Sequence, residues 1–145
     1  MLRVAVAFLL GALLAAPGSA PAQSRWERQV RDQIKRAGRI LEDRAYELSH
    51  DVYTGSLGNH DSESLTITLR EGISYALVAV CDEDCSDIDL RLFDSDGDEV
   101  DSDVENDDTP IVQAAPSRTG KYRVKVIMAS CSTSPCFYGV GVFAK

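Results

Sequence analysis

The stretch Ser64-Leu65-Thr66-Ile67-Thr68-Leu69-Arg70-Glu71-Gly72-Ile73-Ser74-Tyr75-Ala76-Leu77-Val78-Ala79-Val80 decides the fold class. Leu65, Ile67 and Leu69 alternate with Ser64, Thr66 and Thr68. That period of two places apolar side chains on one face of a strand and hydroxyls on the other. Glu71-Gly72 supplies a turn. Tyr75 to Val80 is then continuously apolar, the pattern of a central strand buried on both faces.

The same grammar continues downstream. Ile88, Leu90 and Leu92 alternate with Asp89, Arg91 and Phe93. Asp96-Gly97 predicts a hairpin, because that dipeptide accepts positive φ, with Glu99 to Asp103 as the return strand. Pro110 opens the run Ile111-Val112. Thr119-Gly120 turns into Tyr122, Val124, Val126 and Met128, interleaved with Arg123, Lys125 and Ile127. The chain closes with Phe137 to Phe143. Seven or eight strands at a spacing of about 8–12 residues predict an all-β sandwich or barrel. No helical pattern separates the strands, which argues against a parallel α/β sheet.

Upstream the chain changes character. Val4 to Ala16, VAVAFLLGALLAA, is an apolar run of 13 residues behind one positive charge at Arg3. That length fits the core of a signal peptide and is short for a membrane span. Ala20-Pro21-Ala22 offers small residues for cleavage before Gln23, so residues 1–22 are read as a signal peptide, with an uncleaved anchor as the other reading. The mature chain is then expected to be periplasmic or secreted, with no transmembrane segment after cleavage.

Residues 23–50 are read as an amphipathic helix. Ser24 with Glu27 three residues on has capping-box spacing. Trp26, Val30, Ile34, Ala37, Leu41, Ala45 and Leu48 recur in steps of 3 and 4, so the helix is expected to run from about Ser24 to Leu48 with His50 closing it. Its apolar stripe is expected to pack on the body or to pair with a second copy. The other reading is a basic amphipathic helix docking on anionic lipid or another partner. Charge divides the chain in the same place: residues 23–50 carry 7 basic and 5 acidic residues, whereas residues 51–145 carry 7 and 18. An acidic body argues against nucleic acid as the partner.

The segment from about Val52 to Lys145 resembles the bacterial pre-peptidase C-terminal (PPC) domain. The likeness rests on Leu65-Thr66-Ile67-Thr68-Leu69 followed by Gly72 and Tyr75, then Asp87-Ile88-Asp89-Leu90-Arg91-Leu92-Phe93-Asp94 ending in Gly97. It closes with Gly120-Lys121-Tyr122-Arg123-Val124-Lys125-Val126. The resemblance implies a jelly-roll-like β-sandwich, here preceded by one amphipathic α-helix. It also implies a binding or secretion accessory, in some relatives with calcium or a polymeric substrate. This chain carries a helix where a peptidase would stand, which leaves a free-standing module.

Cys81 and Cys85 form one local pair and Cys131 and Cys136 another. An exported chain sits in an oxidising compartment, and four cysteines allow three connectivities. Local pairing, Cys81–Cys85 and Cys131–Cys136, is expected, with the crossed alternatives open. A four-thiolate zinc site is the weaker reading, since only the first pair has C-x2-4-C spacing.

From Asp82 to Asp108 there are 14 acids and one base, Arg91. Hard cations take carboxylate oxygens, and calcium takes six to eight. The candidate calcium ligands are Asp82, Asp84, Asp87 and Asp89 with Asp107 and Asp108, brought together at one end of the sandwich. The competing reading is a set of solvated acids that keep the protein soluble. Asp94, Asp96 and Asp98 around Gly97 read as an exposed hairpin and lack the EF-hand pattern. His50 and His60 fall in no metal or catalytic spacing, and no nucleophile elbow or phosphate loop occurs. The expected function is an exported, non-enzymatic binding or accessory module, stabilised by calcium on the calcium reading, that binds a protein or polysaccharide, with a homo-oligomer through the N-terminal helix as the open assembly. The alternative is a structural protein that self-associates or docks a partner through the N-terminal helix.

Overall fold

The computed structural model describes residues 24–145, and the expected signal peptide lies outside the described residues. These residues form one helix, α1 (Arg25–Glu42), followed by β1 (Glu47–Leu48), β2 (Tyr53–Leu57), β3 (Ser62–Leu69), β4 (Tyr75–Cys81) and β5 (Cys85–Phe93). Then come β6 (Glu99–Asp103), β7 (Ile111–Ala114), β8 (Gly120–Cys131) and β9 (Cys136–Ala144). Two antiparallel sheets face each other, an all-β sandwich with a single helix. Sheet A runs β7–β4–β9, and the outer edge of β9 is shared by β1 and then β2. Sheet B runs β3–β8–β5–β6.

The two strand patterns in the sequence have distinct causes. β3 alternates because one face looks into the sandwich: Ile67 and Leu69 are buried, while Thr66 and Thr68 are exposed. β4 is apolar throughout because both its faces are covered. Tyr75, Leu77, Ala79 and Cys81 enter the inter-sheet core. Ala76, Val78 and Val80 point the other way, into a second core beneath the helix. The helix stripe therefore packs on the body, the first of the expected arrangements.

Ser24 caps α1, its Oγ accepting from Glu27 N at 3.0 Å. Val30, Ile34 and Leu41 are buried against Phe143 and the outer residues of β4. Each such side chain contributes about 1.5–3 kcal/mol by leaving water. Two glycines let the layers approach: a Cβ on Gly38 would meet the Phe143 ring at 3.1 Å, and one on Gly141 would meet Ile34 Cγ2 at 2.8 Å. The helix interior glycine thus serves the contact with sheet A.

The helix is shorter than its periodicity predicts. It ends at Glu42, and neither Ala45 nor Leu48 belongs to it. Ala45 takes φ 63°, with its N–H donating to Glu42 O while Tyr46 N donates to Leu41 O. That pair of bonds closes a helix through a left-handed residue, a place where glycine is usual. Tyr46 turns back into the lower core, and Glu47–Leu48 pair with Ala144 and Phe143. His50 therefore does not close the helix. It lies beyond β1, with Nε2 3.2 Å from Thr68 O.

At the opposite edge, β6 and β7 belong to different sheets. Gln113 N donates to Asp101 Oδ2 at 2.7 Å and Ile111 N donates to Asp103 Oδ2 at 2.8 Å. Two acids of the return strand thus satisfy the open edge of sheet A, a recognised way to protect an edge from stray pairing. Both cysteine pairs are bridged, and no helix among the described residues is long and apolar enough to cross a membrane. Both facts are compatible with an extracellular or periplasmic setting.

Candidate functional site: the acidic end and the uncovered sheet face

The chain crosses between the sheets from β4 to β5 and again from β8 to β9. Cys81–Cys85 closes the first crossing and Cys131–Cys136 the second, each with its Cα atoms 5.9 Å apart. The expected local pairing is the one formed. The loops lie side by side and share hydrogen bonds. Asp82 N donates to Phe137 O at 2.9 Å, and Ser132 N donates to Asp84 O at 2.8 Å. Asp82 is only 3% exposed. Its Oδ2 accepts from Phe137 N at 2.8 Å and its Oδ1 from Asp84 N at 3.2 Å. Burial of a carboxylate is tolerable when backbone donors meet its oxygens.

The six candidate ligands come from the Cys81–Cys85 loop, β5 and the loop after β6. Asp82 and Asp84 belong to the disulfide end. Asp87 and Asp89 stand on the outer side of β5, and the loop after β6 brings Asp107 beside them, its carbonyl accepting from Ile88 N at 3.0 Å. Burial and then the charge of Asp107 raise the Asp87 carboxyl above its ordinary pKa. Asp89 is raised by burial and by Asp87, partly offset by Arg91, with Asp103 adding to the rise. Asp87 Oδ1 is buried and has no hydrogen-bond partner. Asp107 Oδ1 accepts from Thr109 N at 2.8 Å, and Asp108 Oδ1 accepts from Thr109 Oγ1 at 2.9 Å. Among the described residues no group of three or more Asp, Glu, His or Cys is poised to hold a metal ion. The Asp94–Asp98 turn is the β5–β6 hairpin, with Gly97 at φ 91° and Asp94 Oδ1 accepting from Asp96 N and Asp98 N.

The helix covers sheet A, whereas no described element lies over the outer face of sheet B. That face carries hydroxyls on β3, cations on β8, and both acids and Arg91 on β5. β3 presents Ser64, Thr66 and Thr68. On β8 beside it, Lys125, Arg123 and Lys121 pair in register with those three residues. On β5, Arg91 lies opposite Lys125 and Phe93 opposite Arg123. Alternate residues of a strand are about 6.7 Å apart, so the three cations of β8 form a straight row.

Their surroundings leave this row available. Lys121, Arg123 and Lys125 enter no ion pair among the described residues. The Arg123 guanidinium lies 4.6 Å over the Phe93 ring. Arg91 donates to Glu99 Oε2 at 3.0 Å, and hydrogen bonds from Ser102 and Arg91 hold the Glu99 carboxyl below its usual pKa. The row ends in a cleft of about 320 Å³ between Lys121, Arg123 and the Asp94–Gly97 hairpin. Four of the seven basic residues of the body stand on this one face. The alternation of Arg123 and Lys125 with Tyr122, Val124 and Val126 is visible in the sequence. Its pairing with Arg91 and the hydroxyl strand is not.

No protein-family model matches this chain, and no curated protein is detectably similar to it.

Proposed function

We propose that the chain is an exported, non-enzymatic binding module that presents the outer face of sheet B to an acidic polysaccharide. The observation that supports this reading is the unpaired row Lys121, Arg123 and Lys125 on the uncovered face of an otherwise acidic body. Cations of the row meet carboxylates through charge-assisted hydrogen bonds. Ser64, Thr66 and Thr68 on the neighbouring strand supply donors and acceptors for sugar hydroxyls. The resemblance to the pre-peptidase C-terminal domain favours the same accessory role. An acidic protein surface is the other ligand this face suits.

The proposal includes calcium on the Asp87, Asp89 and Asp107 side. The fit rests on Asp87 Oδ1, a buried oxygen without a partner, among carboxyls that resist ionisation. A hard cation would satisfy that oxygen and offset the crowding, with water and backbone oxygens completing its shell.

Two measurements test these parts separately. Titration of the full chain with polygalacturonate and with a neutral dextran reads the face. Binding of the acidic polymer only, lost in Arg123→Ser/Lys125→Ser while the melting temperature holds, supports the reading. Equal binding of both polymers, or no effect of the substitutions, sinks it. For calcium, a melt with millimolar calcium and then with chelator should differ by several degrees, as a ligand at a hundredfold excess over Kd adds about 2.7 kcal/mol. An unchanged melt removes calcium from the proposal.

A further inference from the structure

A groove of about 360 Å³ opens where the edge of sheet A lets go of β9. β1 pairs with β9 as far as Leu48, and β2 resumes at Tyr53 opposite Val140. Ser49 N still donates to Val142 O at 2.9 Å, residues 50–52 then leave the ladder, and α1 forms the other bank. Ile34, Tyr46, Leu48, Val52 and Phe143 give the groove an apolar lining. Arg31, Lys35 and Arg39, spaced four residues apart along one side of the helix, supply its rim. Glu42 stands at the far end of the same helix side.

The cations differ in what holds them. Arg31 Nη1 donates to Val52 O at 3.4 Å, and Nη2 pairs with Glu27 at 3.3 Å. Its Nε is buried without a partner. Lys35 makes only an exposed pair with Asp32, and Arg39 makes no ion pair among the described residues. An apolar trough bounded by three cations, with one negative charge at its far end, complements the polarity of an anionic amphiphile.

We infer that this groove binds a single long-chain carboxylate, its tail along Ile34, Phe143 and Leu48 and its carboxylate toward Lys35 and Arg31. This goes beyond the polysaccharide reading and does not depend on it, because the groove lies on the opposite side of the sandwich. The occupant is a monomeric acyl chain for two reasons. The volume falls in the range of small-molecule sites. The helix has also spent its apolar stripe on sheet A, with Val30, Ile34 and Leu41 buried, so it cannot lay that stripe on a bilayer.

The test is calorimetric titration of the full chain with dodecanoate below its micellar concentration, beside dodecyltrimethylammonium, which has the same tail and the opposite charge. One equivalent of dodecanoate should bind saturably, at least tenfold tighter than the cationic amphiphile. Lys35→Gln alters one exposed side chain of the carboxylate end and should weaken dodecanoate at least tenfold with an unchanged melt. Val52→Trp, which fills the groove, should abolish binding. The proposal is overturned by the absence of saturable binding, by equal affinity for both amphiphiles, or by binding that survives Val52→Trp. Adsorption to anionic vesicles without binding of monomeric dodecanoate also overturns it, in favour of a membrane surface. Arg123→Ser/Lys125→Ser should bind dodecanoate normally, which separates this result from that of the polysaccharide titration.

Discussion

Asp82 receives one backbone N–H from its own disulfide loop and another from Phe137, across the gap to the second loop. Hydrogen bonds to a charged group contribute about 1.5–3 kcal/mol each, and an orphaned buried donor adds its own cost. Asp82→Ala should therefore lower stability by about 3 kcal/mol in urea unfolding at neutral pH, and Asp82→Asn by less. A loss below about 0.5 kcal/mol would show that the loops hold without the carboxylate. Asp87 is the opposite case. Its native pKa is raised, so the folded state binds a proton more readily than the unfolded chain. Its contribution is most favourable below the ordinary carboxylate range and is lost as pH rises through the raised value. In chelator, Asp87→Asn should raise the melting temperature near pH 7, and the gain should vanish near pH 3. An equal gain at both pH values would contradict the assignment. Nothing in the run of acids distinguishes these two residues, because burial depends on what the distant Phe137 and Asp107 bring to them.

At the level of elements, most of the sandwich was legible. The alternation of Ser64–Leu69, the apolar run Tyr75–Val80 and the Asp96-Gly97 hairpin all correspond to observed strands and turns. The Asp-Gly signal is strong because a local backbone demand is written directly in residue type. The end of the helix was not legible, because Ala45 occupies a left-handed position without the glycine that would announce it. Ala45 and Leu48 continue the helical spacing by coincidence of period. β1, only two residues long, depends on Ala144 and Phe143, almost a hundred residues away. The helix that remains is held by few side chains. Ile34 is 2% exposed and sits over Gly139 and Gly141. Ile34→Ala should cost about 3 kcal/mol, measured by urea unfolding, and should expose Ala76, Val78 and Val80 to a hydrophobic dye. A cost under about 1 kcal/mol would mean that the helix is not an integral layer.

Across the whole molecule, the candidate sites divide by how far apart their parts lie in the chain. The acids of β5 and the cations of β8 are each visible as local patterns. Their adjacency on one face follows from strand order β3–β8–β5–β6, which local patterns do not specify. The groove beside α1 combines a helix side with an interrupted edge strand and left no signal of its own. The body's acidity also has a global use, since net charge of one sign keeps copies apart in solution.

The two bridged crossings lie together at one end, whereas the other end carries no disulfide among the described residues and is closed by contacts such as Gly72 N to Pro116 O, Glu71 N to Thr119 Oγ1 and the Arg118–Asp96 ion pair. Opening must therefore have a direction. Amide exchange in the native protein should be fastest around Gly72 and Gly120 and slowest around Cys85 and Cys131, and reduction of the disulfides should erase that gradient. Uniform protection along β4 and β8 would show that the layers part as a unit. With a graded opening, a protease would find its first cut far from the cysteines, and because each bridge closes only its own loop, the two halves of the cut chain would be held together by non-covalent contacts alone.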